Sequence, residues 1–123
     1  MTTHTDVLVV EDQPDVRGSV ADILRAEGYD VEEACDGIEA LDILSRHQVG
    51  TVLLDLRMPR CDGIAVVEAL ADPPPIVIVS AHGLADEELK KIGSKVVGVL
   101  RKPVPPRQLL ERVGSLLRGE GAC

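Results

Sequence analysis

Aromatic side chains are nearly missing from this sequence: it has no Trp and no Phe, and Tyr29 is its single aromatic residue. Such a chain has no platform on which the bases of a single-stranded nucleic acid could stack, and its core must be aliphatic. Basic residues are in deficit too. Lys and Arg number 13 against 21 Asp and Glu, a formal net charge of -8 at pH 7. That balance repels nucleic acid and anionic membrane surfaces, so no direct contact with either is expected. Apolar runs stay well short of the roughly 18 residues that a membrane helix needs, and the opening MTTHTD lacks the basic and apolar regions of an export signal. Three cysteines, Cys35, Cys61 and Cys123, form an odd set with neither zinc-site spacing nor an even disulfide framework. Reduced thiols in a cytoplasmic protein are the expectation.

What is present is enough for one domain. The 123 residues are 45% apolar, a length that closes a single core, and no linker, repeat or low-complexity tract divides them. Short β-rich runs alternate with segments of helical period. A strand at residues 7–10 precedes a helix from Pro14 whose apolar residues recur at Val16, Val20, Ile23 and Leu24, with Gly28 as its stop. A weaker strand at 31–34 leads to Asp36 and Glu39, which have capping-box spacing ahead of Ala40, Leu41 and Leu44. Residues 51–54 form a third strand, and Asp62 caps a helix that turns Ile64, Val67 and Leu70 toward the sheet.

Three prolines, Pro73, Pro74 and Pro75, forbid helix and deliver the chain to a fully apolar strand at 76–79. Asp86, Glu87 and Glu88 precede Lys90 and Lys91, the order that suits a helix dipole. A last strand at 96–100 and a helix from Pro106, with Leu109, Leu110, Val113, Leu116 and Leu117 on one side, complete the chain before Gly119 and Gly121. Five strands alternating with five helices predict an α/β domain: a five-stranded parallel sheet, doubly wound, with helices on both faces.

On that scaffold the polar residues gather at one edge. Glu11 and Asp12 follow the first strand, Asp55 the third, Ser80 the fourth, and Arg101 and Lys102 the fifth. All are carboxyl ends, where open parallel sheets bind ligands. Each residue alone has an ordinary reading as a strand-end or turn residue; their joint placement does not. Two carboxylates about 5 Å apart repel by about 3 kcal/mol at an effective dielectric of about 20, and a divalent cation removes that conflict. Hard oxygen ligands suit Mg²⁺ rather than zinc or copper. Lys102 adds a compact charge for a phosphoryl group and Ser80 a small donor, so the set suggests phosphoryl transfer to Asp55. If the acids cluster, Asp55→Asn should raise the melting temperature in the absence of Mg²⁺ by relieving repulsion.

The stretches VLVVEDQP, LLDLRMPRCDG, IVIVSAHG and VLRKPV, in this order, resemble the motif set of bacterial two-component response-regulator receiver domains, over residues 7–117. The resemblance implies a flavodoxin-like (βα)5 receiver fold for the whole chain, 1–123, without an output domain. It implies that Asp55 is the phosphoacceptor, charged by a sensor histidine kinase or a histidine phosphotransfer protein. Asp12, Asp55 and the Arg57 backbone carbonyl would bind Mg²⁺ directly, with Glu11 acting largely through water. Ser80 would hydrogen-bond the phosphoryl group, Lys102 would pair with it, and the Lys102 to Pro103 peptide would be cis.

A downstream protein target is implied as well, at the face of the fourth helix, fifth strand and fifth helix, where a homodimer could also form. Residues 101–118 are locally basic there, with Arg101, Lys102, Arg107, Arg112 and Arg118 against Glu111. The family commonly places Tyr or Phe three positions before the site lysine; this chain has Val99, which makes a less visible switch. A pseudo-receiver that binds partners without phosphorylation is the alternative. A haloacid-dehalogenase-like phosphatase would want an aspartate where Arg57 stands, and a flavodoxin-like electron carrier would want a different loop from EDQPD. Met58 and Cys61 are expected only to pack in the loop.

Overall fold

A computed structural model describes residues 3–57 and 62–119. Along the chain run β1 (Thr3–Val10), α1 (Pro14–Ala26), β2 (Val31–Ala34), α2 (Gly37–Arg46), β3 (His47–Asp55), α3 (Gly63–Ala69), β4 (Ile76–Ser80), α4 (Asp86–Ile92) with a 3₁₀ turn at Gly93–Lys95, β5 (Val96–Arg101) and α5 (Pro106–Leu117). The strands form one parallel sheet in the order β2-β1-β3-β4-β5. Strand order reverses at β1, because β2 lies to one side and β3 to the other. A crevice therefore opens at the carboxyl ends of β1 and β3. Among the described residues no helix is long and apolar enough to cross a membrane.

Alternation along the central strands builds the two halves of the core. Leu8, Val10, Val52, Leu54, Ile76 and Ile78 face α2, α3 and α4, meeting Ala40, Ile43, Val66, Val67 and Ile92. Val7, Val9, Leu53, Val77 and Leu100 point the other way, against Leu24 of α1 and Leu109, Val113 and Leu116 of α5. Each fully buried Val, Leu or Ile contributes roughly 1.5–3 kcal/mol of transfer free energy. The layered sandwich is thus held from both faces almost wholly by aliphatic side chains, with Tyr29 packed at the margin of the α1/α5 side.

The caps expected from sequence are in place. Asp36 accepts the Glu39 N–H at 2.8 Å, and Asp62 accepts that of Ala65 at 2.8 Å. The return arm of the capping box differs by one position: Glu39 Oε1 takes the N–H of Cys35 at 3.3 Å rather than that of the cap residue. Gly28 stops α1 with φ of 97° and Gly119 follows α5 with φ of 78°. A hidden cap also appears: Lys95 Nζ donates to the carbonyls of Leu70 at 2.7 Å and Val67 at 3.4 Å, tying the end of α3 to the turn before β5.

Several sequence expectations need correction. β1 begins at Thr3 rather than at residue 7, paired from there with the early start of β3. β3 begins at His47 rather than at residue 51, because α2 passes directly into extended backbone at His47 with φ of -126° and ψ of 148°. Gly50 permits that early pairing, since a Cβ there would stand 2.7 Å from the Asp6 carbonyl oxygen and 2.6 Å from Leu117. Val16 stays outside the buried core: it is 36% exposed and lines a cleft above the sheet, while Ala21 and Leu24 supply the buried face of α1. Leu70 falls just beyond α3 as its cap and is only partly buried, but it packs against the core with Ile64, beside the fully buried Val66 and Val67. The expectations for Met58, Cys61, Gly121 and Cys123 lie outside the described residues.

Candidate functional site

The sheet brings four of the sequence-predicted residues into one cluster. Glu11 directly follows β1 and Asp55 ends β3, with Val10 paired to Leu54 and Asp55 to Val79 in the ladder. One carboxylate oxygen from each of Glu11, Asp12 and Asp55 lies within 4.8 Å of the others. Glu11 and Asp55 are 4% and 7% exposed, and Asp12 is half-buried. Their conflict is partly relieved by Lys102, whose Nζ donates to Glu11 Oε1 at 2.7 Å and to Asp55 Oδ2 at 3.3 Å. Three carboxylates against one ammonium still leave an excess of negative charge.

Backbone donors complete the cradle. The Arg57 N–H reaches Asp55 Oδ1 at 3.2 Å and the Gln13 N–H reaches Glu11 Oε2 at 3.3 Å. Arg57 thus enters the site through its main chain while its side chain is exposed. Gly63, the first residue of α3, lies directly behind Asp55. A Cβ at 63 would stand 2.9 Å from the Asp55 carbonyl oxygen and 2.8 Å from Leu56 Cα, so only glycine lets α3 start this close to the end of β3. Ser80 is buried at the end of β4. Its Oγ accepts the His82 N–H at 3.2 Å, and its carbonyl takes the Lys102 N–H at 3.0 Å, which ties the strand ends carrying the hydroxyl and the ammonium together. The Lys102 to Pro103 peptide is cis.

Electrostatics follow from this geometry. Burial raises the Asp12 carboxyl above its ordinary value, and the neighbouring Glu11 raises it further through a hydrogen bond and its charge. Burial alone would lower the Lys102 ammonium, but the Glu11 hydrogen bond and the charges of Asp55 and Glu11 outweigh it, and the net shift is upward. A raised carboxyl pKa means that the charged form costs the fold stability at neutral pH, and that the cost disappears as pH falls through the folded value. In EDTA at pH 7, Asp12→Asn is therefore expected to melt higher than wild type by roughly 1–5 °C, a range that allows for solvent screening of a half-exposed group. The difference should close toward about pH 4, near the unfolded carboxyl value, and thermal melts across that window measure it. Lys102 already offsets the charge on Asp55, so the gain from removing repulsion belongs to Asp12 more than to Asp55.

A cleft of about 540 Å³ adjoins the cluster. It is walled by Val16 and Val20 of α1, floored by Val9 and Leu53, and closed by Val104 and Leu109, with Asp55 and Lys102 at its end. Sequence reasoning did not foresee the cleft, because it depends on how far α1 stands from α5. It also missed Lys102 as the resting partner of Glu11, having given that lysine only to a phosphoryl group.

The chain's residues 7–114 match the family model described as "Response regulator receiver domain". It is 37% identical over 115 residues to "Response regulator MprA" of a Mycobacterium sp., covering 91% of this chain and 50% of that one. It is 35% identical over 123 residues to "Transcriptional regulatory protein PrrA" of Mycobacterium tuberculosis, covering 98% and 53%. The chain thus spans about half the length of these curated relatives. Among solved structures, a CheY-like response regulator receiver domain protein from Methanospirillum hungatei superposes with a TM-score of 0.85 at 25% identity, covering 99% of this chain and 98% of that one. The receiver domain of the hybrid histidine kinase CckA does so at 0.75 and 32% identity, covering 91% and 98%. The fold, a doubly wound parallel sheet with an acidic cluster at its switch point, defines the class. This chain belongs to the response regulator receiver domain family of two-component systems.

Proposed function

We propose that the protein is a phosphoacceptor switch: Asp55 takes a phosphoryl group from a phosphohistidine on a sensor histidine kinase or a histidine phosphotransfer protein, with Mg²⁺ held by Asp12, Asp55, the Arg57 carbonyl and, through water, Glu11. The observation that carries this reading is the convergence of three carboxylates and Lys102 at the carboxyl ends of β1, β3 and β5. The donor set fits the ion, because small, hard carboxylate oxygens in negative excess are what Mg²⁺ binds. Mg²⁺ supplies charge neutralisation for the phosphoryl oxygens and for the crowded acids.

In the transfer, a carboxylate oxygen of Asp55 forms the new O–P bond as the donor's N–P bond breaks, and the imidazole leaves as the neutral base after taking up a proton. Lys102 then exchanges its bond to Asp55 Oδ2 for one to the phosphoryl oxygens. Ser80 keeps its hydroxyl hydrogen for the same group, because its Oγ already accepts from His82. The apolar cleft beside Asp55 gives the donor a surface to seat against. The domain catalyses its own phosphorylation and the hydrolysis of its acyl phosphate to inorganic phosphate, and turns over no external substrate.

Leu89 and Val99 are 53% and 36% exposed on α4 and β5, and with α5 they make the surface we assign to the downstream partner or to a second copy. The test of the whole reading is incubation with a small phosphodonor with and without Mg²⁺, in which Mg²⁺-dependent labelling is expected and Mg²⁺-independent or absent labelling contradicts it. Arg57 stands exposed two residues from Asp55, and its side chain is expected to limit water's access to the acyl phosphate. Arg57→Ala should shorten the half-life of phospho-Asp55, and an unchanged half-life would count against that role.

A further inference from the structure

The loop that carries Glu11 and Asp12 is gripped from behind by a residue that touches neither carboxylate. Arg17, in the first half of α1, donates from Nη1 to the Glu11 carbonyl oxygen at 2.9 Å and from Nε to Glu33 Oε1 on β2 at 3.3 Å. Glu33 is itself anchored: its second oxygen takes Arg25 Nη1 at 3.0 Å, and Arg25 Nη2 donates to the Val31 carbonyl at 2.9 Å. Two arginines on α1 and one glutamate on β2 therefore form a frame whose free end is a guanidinium hydrogen bond to the peptide joining Glu11 to Asp12.

Two features separate Arg17 from an ordinary surface arginine. Its side chain is 18% exposed, against 92% for Arg107 in the same kind of helical environment. Both arginines lie near a helix start, against the dipole, but Arg107 pairs with the exposed Glu111 one turn on, whereas the partners of Arg17 lie outside its helix, on β2 and in the loop after β1. The guanidinium is planar and its N–H groups hold fixed relative directions. A single arginine can thus bridge Glu33 and the Glu11 carbonyl as a rigid strut, which a flexible ammonium cannot do.

We propose that Arg17 is a positioning residue for the acidic cluster. By fixing the Glu11 carbonyl it fixes the plane of the Glu11 to Asp12 peptide, and with it the directions in which both carboxylates leave the backbone. The arrangement that lets three acids meet one divalent cation is thereby set before the cation arrives. This inference rests on the reading that the cluster binds Mg²⁺.

The sign of the effect separates positioning from simple charge. As a nearby positive charge, Arg17 would weaken cation binding, and its removal would tighten it; as a strut, its removal loosens the ligands and weakens binding. Calorimetric titration of Mg²⁺ into wild type, Arg17→Met and Arg17→Lys, paired with thermal melts in EDTA, tests this. Positioning predicts a Kd for Mg²⁺ raised about tenfold in Arg17→Met, the lower end of what loss of a ligand-orienting partner costs. It also predicts a clear rise in Arg17→Lys, which keeps the charge and loses the fork. In labelling with a small phosphodonor, the half-saturating Mg²⁺ concentration should rise in parallel while the rate at saturating Mg²⁺ stays nearly unchanged.

A lower melting temperature with an unchanged or tighter Kd in Arg17→Met would make Arg17 merely structural and overturn the inference. If Arg17→Met does not fold, Arg17→Lys decides alone: a Kd equal to wild type overturns it. Absence of Mg²⁺ binding by the wild-type protein would instead overturn the metal reading on which it rests.

Discussion

Lys102→Met is expected to melt roughly 10 °C below wild type at neutral pH in the absence of divalent cations. Its ammonium is the sole side-chain cation bonded to both Glu11 and Asp55 among the described residues, and both of those residues are buried. Removing one partner from a buried pair typically costs about 3–5 kcal/mol, because the remaining charge is left uncompensated. Lys102 itself is 28% exposed, so water screens part of the loss and about 2–3 kcal/mol is the expected cost. For a domain of this size that is on the order of 10 °C. Saturating Mg²⁺ should recover much of it by supplying the missing positive charge.

The same pair has a pH signature. A lysine whose folded pKa is raised stabilises the fold fully below its unfolded value of about 10.4 and loses that contribution as pH rises through the folded value. The gap between wild type and Lys102→Met should therefore stay constant from neutrality to about pH 10 and close above it. Melts in a series of alkaline buffers read it directly. A gap that closed near neutrality would place the ammonium outside the cluster.

Asp55→Asn is expected to fold like wild type and yet to take up no phosphoryl group from any donor. The amide is nearly the size of the carboxylate; its one oxygen can keep either the Arg57 N–H or the Lys102 contact, which go to different carboxylate oxygens, and the lost bond is offset by relieved repulsion among the acids, so the melting temperature should move by only a few degrees. Its nitrogen and oxygen are too weakly nucleophilic to attack phosphorus, and Glu11, the other buried acid of the cluster, is already engaged by Lys102 at 2.7 Å against 3.3 Å for Asp55. Residual Mg²⁺-dependent labelling above a few per cent of wild type would mean that Glu11 or Asp12 can accept the group, and that the assignment to Asp55 is wrong.

The core was legible because it obeys simple periodicity. The 76–79 run has no polar residue and had to be a covered central strand, which β4 is. Asp36 and Asp62 announced their helices because a carboxylate three residues before an unsatisfied N–H has one obvious use. The start of β3 was not legible: His47, Gln48 and Gly50 carry no strand pattern, and they are extended only because β1 offers them partners from Thr3 onward. Tertiary pairing there overrides local preference. Val16 obeyed the helical period and still stayed 36% exposed, because it walls a cleft above Val9 and Leu53 in place of packing in the core.

The acidic cluster could be read because carboxylates at strand ends converge by topology alone. Its supports were harder to see. Lys102 was assigned to a future phosphoryl group, although in its absence the same charge must settle on Glu11 and Asp55. Arg17 left one faint signal, a positive charge placed against the helix dipole, and only the position of Glu33 on β2 shows what it holds. Lys95 gave none: a lysine beside a 3₁₀ turn is ordinary until α3 is found to end within its reach.

The central claim is that Asp55, and no other side chain, receives the phosphoryl group. Treating the Mg²⁺- and phosphodonor-incubated protein with borohydride reduces an aspartyl phosphate to homoserine, which peptide mass spectrometry locates. Homoserine at position 55, absent when Mg²⁺ is withheld, is the predicted result. Homoserine at position 12, or an unmodified aspartate at 55 in protein that carries the label, would contradict the account.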